Sequence, residues 1–261
     1  MSPHGTIAGM VAATAVDVLP PPRARIGIVT GSGPEAGLDL WAKVLRANRE
    51  LQGTAYRGDL DAPEVVIHSL PALGLSMELE RHDAAVWRAL QASARFVGGC
   101  TEVWGIACNT LNHYADRLEA LGLPSRLVPM ADAAAAHLRA QGVARVALLG
   151  ARPVMALGPW SHYRRLAAQI EVEVPRDLDA LHQVIYDIKA VGGDNQAIRR
   201  AFDALLADLR ADVVLLACTE LPLIDATRLH TDKRLVDATE LLAQALARAA
   251  QQPREPARAA S

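Results

Sequence analysis

The sequence predicts an α/β fold of two pseudo-symmetric lobes, each a mostly parallel sheet flanked by helices, with an active site in the cleft between them. Three observations lead there. Short apolar runs alternate with longer helical patterns along nearly the whole chain, as strand–helix–strand units with right-handed crossovers require. The runs are continuous rather than alternating, which suits parallel strands covered on both faces. Related segments also recur in the same order, roughly 110–120 residues apart. Arg25-Ile26-Gly27-Ile28-Val29 resembles Arg145-Val146-Ala147-Leu148-Leu149, and the stretch from Val103 to Cys108 resembles that from Val213 to Cys218. Leu127-Val128, followed by Asp132-Ala133, echoes Leu235-Val236-Asp237-Ala238. One such likeness is weak, because α/β strands look alike; three in order describe two related halves.

Taken in turn, residues 1–24 hold a mild apolar stretch broken by Asp17 and closed by three prolines, with no Lys or Arg before Arg23. That is not the pattern of a signal peptide, and we read a disordered leader, with Met10 as an alternative start. Strands are predicted at 25–30, 64–68, 103–107 and 126–129, then at 145–150, 171–174, 213–217 and 234–236. Between them lie helical stretches such as 37–51, 83–97, 131–141, 195–209 and 239–249. The N-terminal lobe is expected over 25–130 and the C-terminal lobe over 131–237. A terminal helix at 238–250 is expected to pack back on the N-terminal lobe, before a disordered tail at 251–261.

Composition narrows the function. Of 261 residues, 51% are hydrophobic, and Lys+Arg 27 nearly balance Asp+Glu 29. Proteins that live on the phosphate backbone concentrate basic residues, so nucleic acid is not an expected partner. No apolar run reaches the length of about 18 residues that a membrane helix needs. Three cysteines are too few for a disulfide framework in a chain of 261 residues. The expected setting is reducing and cytoplasmic, with free thiols.

Two of those thiols stand at matching places. Ala107-Cys108-Asn109-Thr110 and Ala217-Cys218-Thr219-Glu220 each end a predicted strand and continue into small polar residues that favour a helix start. Ligands in open α/β sheets sit beyond the carboxyl ends of the strands. A pseudo-twofold axis would set the two thiols face to face there. At a helix N-terminus a thiol is expected to have a lowered pKa, and the free N–H groups can hold a carboxylate. Two thiols across one carbon can remove a proton from one face and return one to the other. A lone cysteine ending a strand reads as packing; a matched pair reads as chemistry. Cys100 precedes a strand and has no counterpart, so it is assigned to packing.

These motifs carry a resemblance. Ile26–Gly37 (IGIVTGSGPEAG), ACNT at Ala107–Thr110 and ACTELP at Ala217–Pro222 resemble the aspartate/glutamate racemase family, over about residues 25–245. The resemblance implies a cofactor-independent amino-acid racemase, needing neither pyridoxal phosphate nor a metal, and a homodimer. It also implies that Cys108 and Cys218 form the acid/base pair. Asn109, Thr110 and Thr219 would hold the α-carboxylate and amino group, with Glu220 beside the second thiol. Ser32 and Gly33 would close one wall, and Lys189 falls where the family has a lysine near the cleft.

The chain departs from the family in three loops. The first reads Thr30-Gly31-Ser32-Gly33 where the family usually has Gly-Gly-Met before the next Gly or Ser. Where aspartate racemases usually carry an arginine for the side-chain carboxylate, Ser69-Leu70-Pro71-Ala72-Leu73-Gly74-Leu75 has no basic residue, and Arg81 is the nearest. The usual Thr and Ser after the strand at 145–150 are replaced by Ala151-Arg152-Pro153-Val154. Either Arg152 or Lys189 supplies a cation, or the substrate is not acidic. Other readings of the same fold are a related two-cysteine isomerase, such as a maleate isomerase, and a non-catalytic protein that binds an amino acid or carboxylate. Gly31-Ser32-Gly33-Pro34-Glu35-Ala36 formally fits a dinucleotide fingerprint. The acidic residue that should end the next strand is missing, since Glu50 lies in a helical stretch. Of the histidines, His68, His162 and His182 read as core or solvated residues, and His113 stays a weaker site candidate.

Overall fold

The computed structural model describes residues 22–253. Two four-stranded, wholly parallel sheets form the framework. The first contains β1 (Ile26–Thr30), β2 (Val65–Ser69), β3 (Val103–Ile106) and β4 (Arg126–Leu127), in the order β2-β1-β3-β4. The second contains β5 (Arg145–Gly150), β6 (Glu171–Glu173), β7 (Val213–Ala217) and β8 (Arg234–Asp237), in the order β6-β5-β7-β8. The orders are the same, and the three sequence likenesses fall on β1 and β5, β3 and β7, and β4 and β8. The predicted fold class is therefore the observed one.

Helices fill both faces of each sheet: α1 (Pro34–Gln52), α2 (Leu79–Gly98), α3 (Ala115–Glu119), α4 (Met130–Ala140), α5 (Arg152–Met155), α6 (Arg164–Ala167), α7 (Leu178–Val191), α8 (Gln196–Ala207) and α9 (Ala238–Ala250). Helix α1 starts three residues before the predicted 37–51 because Pro34, with φ preset for the first turn, follows Gly33. Strand β4 stops at Leu127, short of the predicted 129, because Pro129 caps the start of α4. Helix α7 was not among the predicted stretches. Its β-branched Val184, Ile185 and Ile188 favour strands, yet with Leu181 they make one buried stripe at helical spacing, and Asp177 accepts a hydrogen bond from the Ala180 N–H.

One face of the first sheet meets α2 through Val29, Val97, Trp104 and Ile106. The other meets α1 and α9, which lie against each other, with α4 beside α9. Gly105 in β3 allows this close approach: a Cβ there would stand 3.0 Å from Leu242 Cδ1 of α9. Leu242 and Leu246 are fully buried, each contributing about 1.5–3 kcal/mol of hydrophobic stabilisation. The same core cluster contains Ile26 and Ile28 of β1 and Val146 and Leu148 of β5, so one apolar core runs through both sheets. Lys43 on α1, buried, pairs with Asp237 of β8 at 2.6 Å and with Asp39.

The expected leader (1–24) and tail (251–261) lie outside the described residues except at their inner edges. There Arg23 bridges antiparallel to Pro253, and the Ala24 N–H donates to the Gln252 carbonyl at 3.2 Å. Among the described residues, no helix is long and apolar enough to cross a membrane.

Candidate active site

In each sheet the strand order reverses between the first and third strands, and in open α/β sheets the ligand crevice lies at such a switch point. At the carboxyl end of β1 stands the loop Gly31-Ser32-Gly33, and at that of the adjacent β3 stands Cys108. In the second sheet Ala151 follows β5, and Cys218 follows the adjacent β7. The two cysteine segments meet directly: Thr219 Oγ1 lies 3.5 Å from the carbonyl of Ala107, to which it donates. Both thiols are buried, at 7% and 5% exposure.

The groups within hydrogen-bond reach of Cys108 are neutral. Its Sγ is 3.8 Å from Ser76 Oγ, which is 2.8 Å from Ser32 Oγ, so a chain of hydroxyls joins the first loop to the thiol. Asn112 Nδ2 donates to the Cys108 carbonyl at 2.9 Å and holds the backbone there. Thr110, also buried, opens a short 3-10 turn over Thr110–Tyr114.

Around Cys218 the groups are charged. Its thiol donates to Glu220 Oε2 at 3.0 Å, and Thr219 Oγ1 stands 3.3 Å from the same oxygen, sharing its one proton between it and the Ala107 carbonyl. Glu220 Oε1 is in contact with Lys189 Nζ, which also donates to the Ser32 carbonyl at 3.4 Å. Lys189 is held above its ordinary pKa: burial opposes its charge, and Glu220 outweighs the burial, with smaller contributions from Cys218 and Cys108. One ammonium therefore lies within electrostatic reach of both thiols. Gly33 is needed for this packing, since a Cβ on it would stand 2.2 Å from Glu220 Oε1, and its φ of +95° is one that L side chains rarely adopt.

The expectation of a lowered thiol pKa at a helix start is corrected at Cys218. Burial, followed by the Glu220 charge and hydrogen bond, pushes this thiol well above its ordinary value. Only the three-residue 3-10 turn Leu221–Leu223 follows it, too short for a helix dipole to offset the burial.

Asn109 is the most informative polar side chain. Tyr163, fully buried, donates to Asn109 Oδ1 at 2.5 Å, whereas Asn109 Nδ2 is buried with no partner among the described residues. A buried, unsatisfied amide donor on the residue that follows Cys108 is a group awaiting an acceptor. Removing the Tyr163 hydroxyl in Tyr163→Phe should destabilise the protein by about 1–3 kcal/mol in urea unfolding, because Asn109 Oδ1 then loses its donor as well. A loss below ~0.5 kcal/mol, the scatter of ordinary surface substitutions, would contradict this bond.

The sequence matches the family described as Asp/Glu/hydantoin racemase over residues 29–246. The chain belongs to that family. It is thus an isomerase of the racemase kind. The fold agrees with solved structures. Aspartate racemase of Picrophilus torridus is 24% identical with a TM-score of 0.73, over 87% of this chain and 94% of that one. An aspartate racemase homologue from Pyrococcus horikoshii is also 24% identical, with a TM-score of 0.66, over 88% of this chain and 100% of that one. Glutamate racemase of Francisella tularensis, solved with D-glutamate, is 14% identical with a TM-score of 0.59, covering 86% of this chain and 80% of that one. At these identities the likeness is one of fold. A comparison with curated proteins found no match.

In this racemase the structure gathers Ser32, Gly33, Cys108, Asn109, Thr110, Lys189, Cys218, Thr219 and Glu220 about the junction of the two sheets. It adds residues that sequence reasoning missed. Ser76 and Asn112 touch the Cys108 segment, and Tyr163 reaches Asn109 from the other half of the chain. His182 lies beside Glu78, 3.4 Å from Nε2 to Oε1, and its Nδ1 accepts the Arg152 N–H at 3.3 Å. His113 packs against Tyr114 and Trp160, and burial lowers its pKa. His162 pairs with Asp132 at 2.8 Å, and His68 lies against Phe96. Cys100 donates to the Phe96 carbonyl at 3.3 Å.

Proposed function

We propose that this racemase inverts the α-carbon of an amino acid by two-base proton transfer between Cys108 and Cys218, without pyridoxal phosphate or another cofactor. The observation that carries the reading is the pair of buried thiols at equivalent strand ends of the two sheets, joined through Thr219 and the Ala107 carbonyl. The α-carboxylate takes the unpartnered Asn109 Nδ2, with Thr110 and Thr219 beside it. One cysteine, as thiolate, accepts the α-proton while the other, as thiol, delivers its proton to the opposite face. The enzyme emerges with thiol and thiolate exchanged, and solvent proton exchange restores the starting form. Lys189, near both sulfurs, offsets negative charge on whichever one is ionised, and hydrogen bonds to the carboxylate stabilise the carbanion-like transition state. Glu220 accepts the Cys218 proton's hydrogen bond, which favours Cys218 as the resting thiol.

Incubation of the reduced protein in deuterated water with a panel of amino acids tests this. The expected result is loss of the α-proton signal together with loss of optical purity for at least one of them. Absence of exchange across the panel would instead favour a binding protein on this fold. A cytoplasmic setting, suited to free thiols, and a homodimer, suggested by the resemblance, complete the reading; light scattering of the purified protein checks the dimer.

A further inference from the structure

A cavity of about 290 Å³ adjoins the cysteine site, near the lower end of the size of small-molecule sites, about 300–1,000 Å³. It shares Gly33 and Lys189 with that site, and Leu75, Met77 and Tyr186 supply its apolar surface. Its charges are unequal. Glu35, Glu78 and His82 line it, and Lys189, its one lining Lys or Arg among the described residues, is already in contact with Glu220. Neither arginine considered from the sequence faces it. Arg152 binds Asp179 at 2.7 Å, and with Arg81 it lines a smaller cavity of about 110 Å³ on the other side of Met77 and Glu78, which line both.

Glu78 is built to stay ionised. Tyr186 donates to its Oε1 at 3.1 Å, and His182 Nε2 is 3.4 Å from the same oxygen. Burial works against the charge, and these two neighbours outweigh it, so the Glu78 carboxyl sits below the usual carboxylate range. Among the described residues nothing donates to Oε2. A substrate carboxylate in this cavity would meet the two carboxylates of Glu35 and Glu78, with the His82 imidazole beside them and no Lys or Arg free of a partner. An aliphatic side chain would fill it but leave Glu78 Oε2 without a donor, whereas a cationic end would add a charge-assisted hydrogen bond there.

We propose that this cavity receives the substrate's side chain and that this side chain is cationic, as in lysine, ornithine or arginine, with Glu78 as its counter-ion. The proposal rests on the two-cysteine racemase reading and gives it a substrate class. The methylenes of such a side chain lie along Leu75, Met77 and Tyr186, and its charged end meets Glu78.

Exchange and racemisation measured in deuterated water with lysine, ornithine and arginine, with aspartate and glutamate, and with methionine and leucine decide the matter. The expected kcat/KM is at least about tenfold higher for a basic amino acid than for either other class, the order one charge-assisted contact supplies. Glu78→Gln should lower kcat/KM for the basic substrate about tenfold or more, chiefly through KM, and Glu78→Asp, which keeps the charge, should recover part of it. A preference for acidic or neutral amino acids, or equal losses in Glu78→Gln and Glu78→Asp, overturns this proposal and leaves the racemase reading intact. Exchange with none of the three classes overturns both.

Discussion

Replacing Cys108 by serine, or Cys218 by serine, is expected to lower racemisation by about 10²–10⁴-fold, the range that one positioned proton-transfer group contributes. A serine hydroxyl fits either site but is far less acidic than a thiol, so it neither ionises to accept the α-proton nor gives one up readily. Under the two-base reading each variant loses one face of the reaction only. Each should therefore still exchange the α-proton of the enantiomer that presents its hydrogen to the surviving cysteine, with retention of configuration. The two variants should retain opposite enantiomers. That asymmetry separates a proton-transfer role from loss of folding, which would remove both exchanges together. Full racemisation in both variants would end the two-base reading.

The second large effect concerns stability. Lys189→Met is expected to destabilise the protein by about 3–5 kcal/mol in urea unfolding, because it leaves the Glu220 carboxylate buried without its counter-ion. The Glu220 side chain is only 5% exposed and that of Lys189 19%, so water does little to replace the lost partner. Glu220→Gln in the same chain should restore most of the loss, since removing the second charge removes the uncompensated burial. Simple additivity of the two single changes would show that the pair is not coupled. Lys189 also holds the Ser32 carbonyl, so some loss should persist in the double variant.

The architecture was legible from the sequence because its two halves repeat the same buried strands, and β1, β3, β5 and β7 are continuous apolar runs that nothing else explains. The cysteine motifs were legible for the same reason: a repeat turns two unremarkable thiols into a pair. The expected packing of the terminal helix aside, side-chain contacts between the halves were not. Glu78 is joined to His182 and Tyr186 over more than a hundred residues of chain, and Tyr163 reaches Asn109 across 54. No periodicity records such pairings, which depend on how two sheets come together. Helix α7 was hidden by β-branched residues whose propensity the tertiary packing overrides. The acidity of Cys218 was misjudged because local sequence suggests a helix dipole, while the fold supplies burial and a carboxylate.

The position of α9 bears on how the protein is made. Helix α1 and strand β3, which leave the ribosome early, bury their shared apolar face against a helix translated after every strand of the second sheet. Until Ala238–Ala250 emerges, α1 has only its side toward the first sheet covered and the face around Gly105 lacks Leu242 and Leu246, so the nascent first half cannot complete its core. Domains usually mature one after another during synthesis. Here α9 locks both halves at once, so that a chain interrupted before Ala238 would carry the eight strands of the described residues and still lack a finished first half.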